Sequence, residues 1–335
     1  MKEIICSVCG ESLDEGKPHV TAVVPFYKSE EHVPHVLNFV RELNQKLQGG
    51  VNAVFVIDGS PDESEVILRK SIEFEPYPIR VISLSRNFGV GPALHAAFSD
   101  QGNRCVSVVF GSDLQEPNEL FVDFSKSILS GECEVALGQR ESREDPFMMK
   151  VTSAIYWYLY RKLISKDTPK GGYDVFGISK NARYALTSLT EQNTNITAQV
   201  QWIGFSRRYF SFVRTARISG KSTWTFRKRF GLFVDTFLGF SDKFLLPLYI
   251  SSLTIVATGV LIFAITLFGQ EFSERLSSIL TGLTLLAMGL SVFGISIVGS
   301  VVVRGFENSK SRPRFIIQRT FENQPMTELI RRSKR

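Results

Sequence analysis

The chain has 335 residues, of which 44% are hydrophobic and 21% are charged. This balance excludes a disordered or fibrous chain, and the length leaves room for one large domain with an appendage. The formal net charge of +6 fits nucleic acid, an anionic membrane or phosphorylated substrates as partners, so the positions of the charges must decide among them.

The first 18 residues are a short polar arm, in which we expect no signal peptide. The arm contains Cys6 and Cys9 in a Cys-x-x-Cys spacing, which is half of a zinc site. Cys105 and Cys133 lie singly in other segments. We therefore expect reduced thiols without a metal, and a zinc site completed by a second subunit is the alternative.

Residues 19–224 are expected to form the main domain, because four buried strands with polar ends are spaced along its first half. The first strand begins at Val20 and is broken by Pro25, and a helix follows it. Strands that alternate with helices predict an α/β fold with a doubly wound, mostly parallel sheet. The carboxyl ends of such strands form one ligand crevice. The other three predicted strands are Val51–Ile57, Ile79–Leu84 and Cys105–Phe110.

The turn after the fourth strand carries the most specific chemistry. The carboxylate of Asp113 and the amide oxygen of Gln115 are hard donors, of the type that a divalent cation bridging two phosphates binds. The alternative is an ordinary turn in which Asp113 caps a helix over Glu116. The chain has no GxxxxGK[ST] loop and no complete GxGxxG motif, which disfavours a phosphate-loop NTPase and a dehydrogenase.

Two long apolar runs predict transmembrane helices. Residues 244–268 and 279–303 are almost uncharged, and each exceeds the roughly 20 residues that cross a bilayer core. Basic residues follow the second run, so the positive-inside rule places the tail, residues 304–335, and the main domain in the cytoplasm. A buried helical hairpin is the alternative. Three glycines of the second run would permit close helix contacts: Gly282, Gly289 and Gly294.

Two segments ahead of the apolar runs mix aromatic residues with lysine and arginine. Residues 147–164 and the expected juxtamembrane helix, residues 225–243, have the composition of amphipathic helices that lie on a bilayer. Core helices packed on the sheet are the alternative for both.

The ordered motifs of the chain resemble those of family 2 glycosyltransferases with the GT-A fold. The matching segments are Val24–Tyr27, Ile57–Asp62, Leu84–Gly89 and Ser112–Pro117. Later segments resemble the polyisoprenyl-phosphate glycosyltransferases, the group that contains dolichol-phosphate mannose synthase and the bacterial GtrB- and ArnC-type enzymes. They are Gly138–Arg140, Gly171–Asp174, Arg217–Trp224 and Arg312–Ile316.

The resemblance implies a site for a nucleotide-sugar donor, in which Asp58 would accept hydrogen bonds from base or ribose. Asp113, with a catalytic role, and Gln115 would hold Mg²⁺ or Mn²⁺ against the diphosphate. Gly111 stands where the commonest pattern has the first acidic residue of Asp-x-Asp, which lowers the expected affinity for the metal. The expected residues of the nucleotide pocket are Pro25, Tyr27, Glu30, Asp58, Ser112 and Asp113.

The resemblance also implies a polyprenyl phosphate as acceptor. A phosphate monoester has its second pKa at about 6 and is largely ionised at neutral pH, so a strong general base is dispensable. Asp174 is the family's candidate carboxylate, as a base or positioning group, and the alternative is that it orients neighbouring arginines. The cations expected to bind the acceptor phosphate are Arg140, Arg143, Arg217 and Lys221.

The sequence therefore predicts an inverting, metal-dependent glycosyltransferase that is a multi-pass protein of the inner, cytoplasmic membrane. It would move a sugar to an undecaprenyl-type phosphate for cell-surface glycan or lipid modification. The alternatives are a transferase that extends a glycan on a lipid diphosphate and, because of Gly111, a catalytically silent membrane scaffold. The expected partners are the lipid bilayer and further copies of the chain, as in a tetramer. Nucleic acid is disfavoured because the basic residues cluster beside the apolar runs.

Overall fold

The structure is a computed structural model. It describes residues 19–47, 50–100, 102, 104–140, 147–169, 172–173, 175–192, 194–214, 226–241, 250, 253–255, 257–258 and 273–323. The strands found among these residues are β1 (Val20–Phe26), β2 (Val51–Ile57), β3 (Ile79–Leu84), β4 (Val106–Val109), β5 (Val135–Arg140), β6 (Val175–Ser179), β7 (Arg207–Phe212) and β8 (Ile317–Glu322). The helices are α1 (Val33–Lys46), α2 (Ser64–Ser71), α3 (Val90–Ser99), α4 (Asn118–Leu129), α5 (Phe147–Leu163), α6 (Lys180–Ser188), α7 (Ile196–Trp202), α8 (Phe226–Phe240) and α9 (Ser273–Ser309).

All eight strands form one mixed sheet in the order β7-β5-β6-β4-β1-β2-β3-β8. The pairs β1/β2, β1/β4, β2/β3 and β5/β7 are parallel, and the pairs β3/β8, β4/β6 and β5/β6 are antiparallel. The sheet is thus less parallel than expected, because β6 and β8 run against the others. The carboxyl ends of β1 to β5 and β7 therefore lie at the same end of the strands as the amino ends of β6 and β8. We call this end the carboxyl edge of the sheet.

Helices cover both faces of the sheet, as the doubly wound prediction requires. Side chains alternate along the strands: Val24 and Phe55 belong to the core under α1 and α4, whereas Val23 and Val54 belong to the core under α3, α6 and α7. Both cores are built from fully buried aliphatic and aromatic side chains. The sheet is therefore a rigid base from which the loops at its edge project.

The boundaries of the predicted strands agree closely with the structure. The second and third strands match β2 and β3, and β4 is slightly shorter than expected. The first prediction was wrong in one respect, since Pro25 does not break β1, which continues to Phe26. Pairing with β4 ends at Val23, so the missing N–H of the proline falls where that ladder has already stopped.

A third apolar cluster joins α5 to α8, away from the sheet cores. Trp157 and Tyr160 on α5 pack with Phe237 on α8, and Tyr160 and Phe237 are completely or almost completely buried. The opposite side of α5 exposes Ile155 (53%) and Tyr158 (57%). Helix α5 therefore packs on α8 in a cluster of its own and not in the sheet cores, and its contact with a bilayer stays a prediction.

Helix α9 contains the one segment of the described residues that is long and apolar enough to span a membrane. This segment, Gly282–Ser309, has a mean hydropathy of 2.2 over its most apolar window, none of which is buried in the protein. It covers most of the second predicted span. The first predicted span, residues 244–268, lies almost entirely outside the described residues, so the two-helix arrangement stays a prediction.

Part of the predicted tail belongs to the sheet. Strand β8 pairs with β3 from Arg80↔Glu322 to Leu84↔Ile317, and Asn323 follows it with 9% of its surface exposed. The sequence interpretation of residues 304–335 as one tail did not anticipate this strand, because a short polar strand at a sheet edge has no strong periodicity. The chain thus returns from α9 to complete the sheet.

Asn323 fastens the end of β8, and we expect Asn323→Ala to lower the free energy of unfolding by roughly 2 to 4 kcal/mol. Its Oδ1 accepts a hydrogen bond from Ile79 N at 2.7 Å. Its Nδ2 donates to the carbonyl oxygens of Ile72, Glu75 and Tyr77 at 2.9, 3.2 and 3.0 Å. Alanine would leave these buried backbone groups without their partner, and chemical unfolding of the full-length protein measures the loss.

Gln318→Ala is the matched control for this substitution, because Gln318 lies on the same strand with an exposed side chain. We expect the control to change stability by less than about 0.5 kcal/mol. An equal effect of both substitutions would contradict the role assigned to the Asn323 side chain.

Candidate active site

Four loops meet at the carboxyl edge of the sheet. The first loop (residues 27–30) follows β1, the second (58–63) follows β2, the third (85–89) follows β3 and the fourth (110–117) follows β4. Because β1 to β4 are all parallel, these loops emerge on the same side of the sheet. Such an edge is where open α/β sheets bind ligands.

The first and second loops are joined by hydrogen bonds between side chains and backbone. Lys28 N donates to Ser60 Oγ at 2.7 Å, and Glu30 N donates to Asp62 Oδ2 at 3.0 Å. In return, the Glu30 carboxylate accepts from Glu63 N at 2.8 Å. Burial alone would raise the pKa of Asp62, but the hydrogen bonds that it accepts lower this pKa below its ordinary value. Glu30 therefore lies at this edge as predicted, with its carboxylate engaged by the neighbouring loop.

Asp58 connects the second loop to the third. Its Oδ1 accepts from Phe88 N at 2.7 Å and its Oδ2 accepts from Gly89 N at 2.8 Å, and the residue is 4% exposed. Burial raises the pKa of Asp58, and the two backbone hydrogen bonds oppose this shift. The observed role of Asp58 is thus to hold the third loop, and its contact with base or ribose stays a prediction.

Gly59, the next residue, packs directly on the backbone of the third loop. It has φ +54, and a Cβ at this position would lie 2.6 Å from Arg86 Cα and still closer to the peptide bond that follows. The backbones of the second and third loops therefore lie so close together that only glycine fits at residue 59.

The fourth loop contacts the first loop and the end of β7. Ser112 Oγ lies 3.0 Å from Ser29 Oγ, and Asp113 Oδ2 lies 3.9 Å from Arg214 Nη2. Helix α4 begins only at Asn118, with Pro117 at its N-cap. The alternative that Asp113 caps this helix is therefore wrong, and its carboxylate belongs to the crevice.

The space beside Gly111 bears on the predicted metal site. A Cβ on Gly111 would lie 2.5 Å from Asp113 Oδ1 and 3.8 Å from Glu116 Oε2, so the Asp113 carboxylate fills the room that a side chain at residue 111 would occupy. Within the residues that the structure describes, no group of three or more His, Cys, Asp or Glu could hold a metal ion. Gln115 and Glu116 are both buried beside Asp113 along the chain. This donor set suits a hard cation such as Mg²⁺, which takes one or two carboxylates and completes its shell with substrate phosphates.

The predicted acceptor side lies at the same edge. Arg140 ends β5 and is opposite Phe212, two residues before Arg214. Tyr173 and Val175, which flank Asp174, lie where β6 begins next to the end of β4. Asp174 itself, with Arg143, Arg217 and Lys221, lies outside the described residues, so the roles of these four residues stay predictions.

The segment that leads into β6 is held from two sides. Gly172 has φ +68, and a Cβ on it would overlap the indole ring of Trp157 on α5. Tyr173 is 2% exposed, and its hydroxyl donates to the carbonyl oxygen of Thr197. Contacts with α5 and α7 therefore hold the residues that precede β6 in place.

The structure brings together most of the residues that were predicted to line the nucleotide pocket. Glu30, Asp58, Ser112 and Asp113 all lie in the four converging loops, whereas Pro25 lies inside β1. Tyr27 lies on the first loop and is partly exposed. Sequence reasoning missed Arg214, which reaches the Asp113 carboxylate. No strand was predicted at β7, so the sequence analysis had no signal that pointed to this arginine.

An open α/β sheet with polar loops gathered at the carboxyl ends of its strands is typical of a protein that binds its ligand in a crevice there. Residues 21–186, which span all four loops, match the sequence model of the family described as "Glycosyl transferase family 2". The chain therefore contains a glycosyl transferase family 2 domain, and the protein is a glycosyltransferase.

Full-length relatives extend this similarity beyond the domain. The chain is 28% identical to the uncharacterized glycosyltransferase YkcC of Bacillus subtilis (strain 168), over 89% of this chain and 93% of the relative. It is 26% identical to the bactoprenol glucosyl transferase of Shigella phage SfX, over 89% of this chain and 98% of the relative. Among solved structures, the mannosyltransferase PcManGT from Pyrobaculum calidifontis, in complex with GDP-Man and Mn²⁺, is 13% identical with a TM-score of 0.48, and the match covers 87% of each chain.

Proposed function

We propose that the protein transfers a sugar from a nucleotide-sugar donor to a polyprenyl phosphate at a membrane surface. The observation that carries the proposal is the coverage of the match to the bactoprenol glucosyl transferase, which at 89% of this chain and 98% of the relative extends well beyond residues 21–186. A lipid acceptor needs an enzyme that meets it at the membrane, and α9 returns directly to the sheet through β8. The crevice and the apolar helix would thus belong to one folded unit that meets both substrates.

The residues at the sheet edge have distinct tasks in this reaction. The first and second loops would enclose the nucleotide, and Asp58 would hold the third loop against them. Asp113, with Gln115, would hold Mg²⁺ or Mn²⁺, which supplies positive charge that stabilises the departing diphosphate. Arg214 lies close enough to the Asp113 carboxylate to orient it and adds a cation to the same part of the crevice.

The acceptor phosphate would approach from the side of β5 and β6. Arg140 presents a planar guanidinium there, which suits phosphate oxygens. Asp174 is proposed as the carboxylate that positions the acceptor or takes its proton. A single direct displacement by the phosphate oxygen inverts the configuration of the anomeric carbon. The catalytic domain would lie on the cytoplasmic face of the inner membrane, with two spans and several subunits in the assembly.

Transfer from radiolabelled nucleotide sugars to undecaprenyl phosphate, with purified full-length protein, tests the proposal. We expect a labelled product that is soluble in chloroform and that forms only in the presence of Mn²⁺ or Mg²⁺. Label that appears only on an acceptor already carrying a lipid-diphosphate glycan would favour the extending transferase. Binding of nucleotide without any product from any donor would favour the silent scaffold.

A further inference from the structure

The motif Arg312–Ile316 lies in the segment that follows α9, residues 310–323, which we call the post-membrane segment. This segment crosses the side of the catalytic domain before it forms β8. At its start, Gln192 Nε2 donates to the carbonyl oxygen of Arg312, and just before it Gln192 N donates to Asn308 Oδ1 at 2.9 Å. At its other end, β8 joins the sheet. The segment is therefore attached to the domain on both sides of the motif.

Arg314, in the middle of the motif, closes a ring of hydrogen bonds inside the domain. Its Nη1 lies 2.7 Å from His95 Nε2 and 3.1 Å from His95 Nδ1 on α3, and its Nη2 donates to Glu191 Oε2 at 3.2 Å. His95 Nε2 lies 2.9 Å from Gln199 Oε1 on α7, and Gln199 Nε2 donates to Glu191 Oε2 at 3.1 Å. Because a guanidinium only donates, its contact with the ring requires a His95 nitrogen that accepts, and therefore a neutral imidazole.

Three side chains of the ring are largely buried, whereas Glu191 lies at the surface. His95 and Gln199 are 3% and 0% exposed, and 10% of the Arg314 side chain is exposed. A guanidinium suits this position because its two terminal nitrogens reach two acceptors at once, which a lysine ammonium does not do with the same geometry. The ring therefore sets the position of the post-membrane segment relative to α3 and α7.

The same segment holds the third loop of the crevice. Ser85 N, at the start of that loop, donates to the carbonyl oxygen of Ile316 at 2.9 Å. The other end of the loop runs into α3, which carries His95, and Ala93 N donates to Gly89 O at 3.1 Å. Phe315 and Phe88 pack against one apolar core. The third loop thus has the post-membrane segment at its start and the helix that Arg314 contacts at its end.

We propose that Arg314 is a positioning residue for the transfer reaction, which locks the post-membrane segment onto α3 and so holds the third loop in the arrangement that binds the nucleotide-sugar donor. This inference rests on the proposed function, because it assigns the donor to the crevice that the third loop lines. It gives the motif after the membrane helix a task in catalysis, although no residue of the ring touches the reacting atoms.

Arg314→Met tests the inference in full-length protein in detergent micelles, with Arg312→Met as matched control. Arg312 lies in the same motif with an exposed side chain, and Gln192 binds its backbone oxygen. We expect Arg314→Met to raise KM for the nucleotide sugar by about tenfold, because a charged hydrogen-bonded contact is lost, with kcat changed far less. Arg312→Met should keep the KM of the natural protein. A merely structural role would lower the yield of folded protein or its Tm and leave KM per folded molecule unchanged.

Glu191→Ala is a second, milder variant that decides the question if Arg314→Met does not fold. Glu191 is 47% exposed along its side chain, yet its Oε2 joins Arg314 to Gln199. We expect a smaller rise in KM for the donor. A KM equal to that of the natural protein in every folded ring variant would overturn the inference alone. Failure of the natural protein to bind or use any nucleotide sugar would overturn the proposed function, and the inference with it.

The ring also predicts a dependence of stability on pH. Burial, together with the charge of Arg314, lowers the pKa of His95 to about 4 from its ordinary value of 6.5. The charged and polar groups that face His95 are Arg314, Glu191 and Gln199. The unfolded chain therefore binds the proton first, so the stabilisation from neutral His95 is complete above about pH 6.5 and is lost as the pH falls towards 4.

Thermal unfolding at a series of pH values measures this dependence. We expect Tm of the natural protein to fall through this window more steeply than Tm of Arg314→Met, because removal of the guanidinium charge lets the His95 pKa rise towards its ordinary value. Arg312→Met should follow the natural protein. Parallel curves for all three proteins would contradict the contact between Arg314 and His95.

Discussion

Asp113→Ala is expected to reduce sugar transfer by roughly 10²- to 10³-fold, the range for loss of a preorganised group that stabilises transition-state charge. The physical reason is that the fourth loop offers few ligands for a metal ion. Gly111 supplies no carboxylate, and the Asp113 oxygen already fills the space beside it. Asp113 is thus the main fixed negative charge that the fourth loop offers to a divalent cation, and alanine removes it. Transfer assays with purified protein measure the loss.

Binding of Mn²⁺ in the presence of nucleoside diphosphate separates the metal role from folding. We expect Asp113→Ala to weaken this binding and to leave membrane extraction and Tm nearly unchanged, because the side chain is 24% exposed and packs in no core. Asp123→Ala on α4, whose side chain is exposed, is the matched control and should retain both binding and transfer. Full turnover in Asp113→Ala would exclude this aspartate as the metal ligand.

Gly59→Ala is expected to lower the free energy of unfolding by about 2 to 4 kcal/mol, from the cost of a left-handed residue and of an overpacked contact. The methyl group would meet the Arg86–Asn87 backbone, which cannot change rotamer to make room. The third loop would have to move away from the second, and Asp58 would lose its hydrogen bonds with it. We therefore expect donor binding to fall together with stability, as measured by chemical unfolding and by titration with nucleoside diphosphate.

Gly91→Ala is the control for this substitution. Gly91 lies in the first turn of α3, has no other atoms within 4 Å of its Cβ position, and is close to the same loop. Alanine favours a helix over glycine by about 1 kcal/mol, so the control should be neutral or slightly stabilising. If Gly59→Ala proves as harmless as Gly91→Ala, the close approach of the second and third loops is not required.

The sequence by itself determined the central part of the fold and the donor edge. Runs of apolar, β-branched residues that end in polar turns predict strands by local pattern alone, and β2 and β3 have the predicted boundaries. Their order in α/β alternation then places Asp58 and Asp113 at one edge, because parallel strands share an orientation. The family of the domain was readable for the same reason, since its motifs are short and local.

Only the tertiary structure decided the contacts between residues far apart in the chain. Asn323 binds Ile79 across 244 positions, and Arg314 reaches His95 across 219. The two carboxylate oxygens of Asp58 are directed at the third loop, and Arg214 arrives beside Asp113 from the end of β7. No periodicity or spacing encodes such pairs, because their energies depend on the distances that the folded sheet imposes. The sequence thus determined that Asp58 and Asp113 reach the crevice, and the fold decided which residues, Arg214 among them, contact them there.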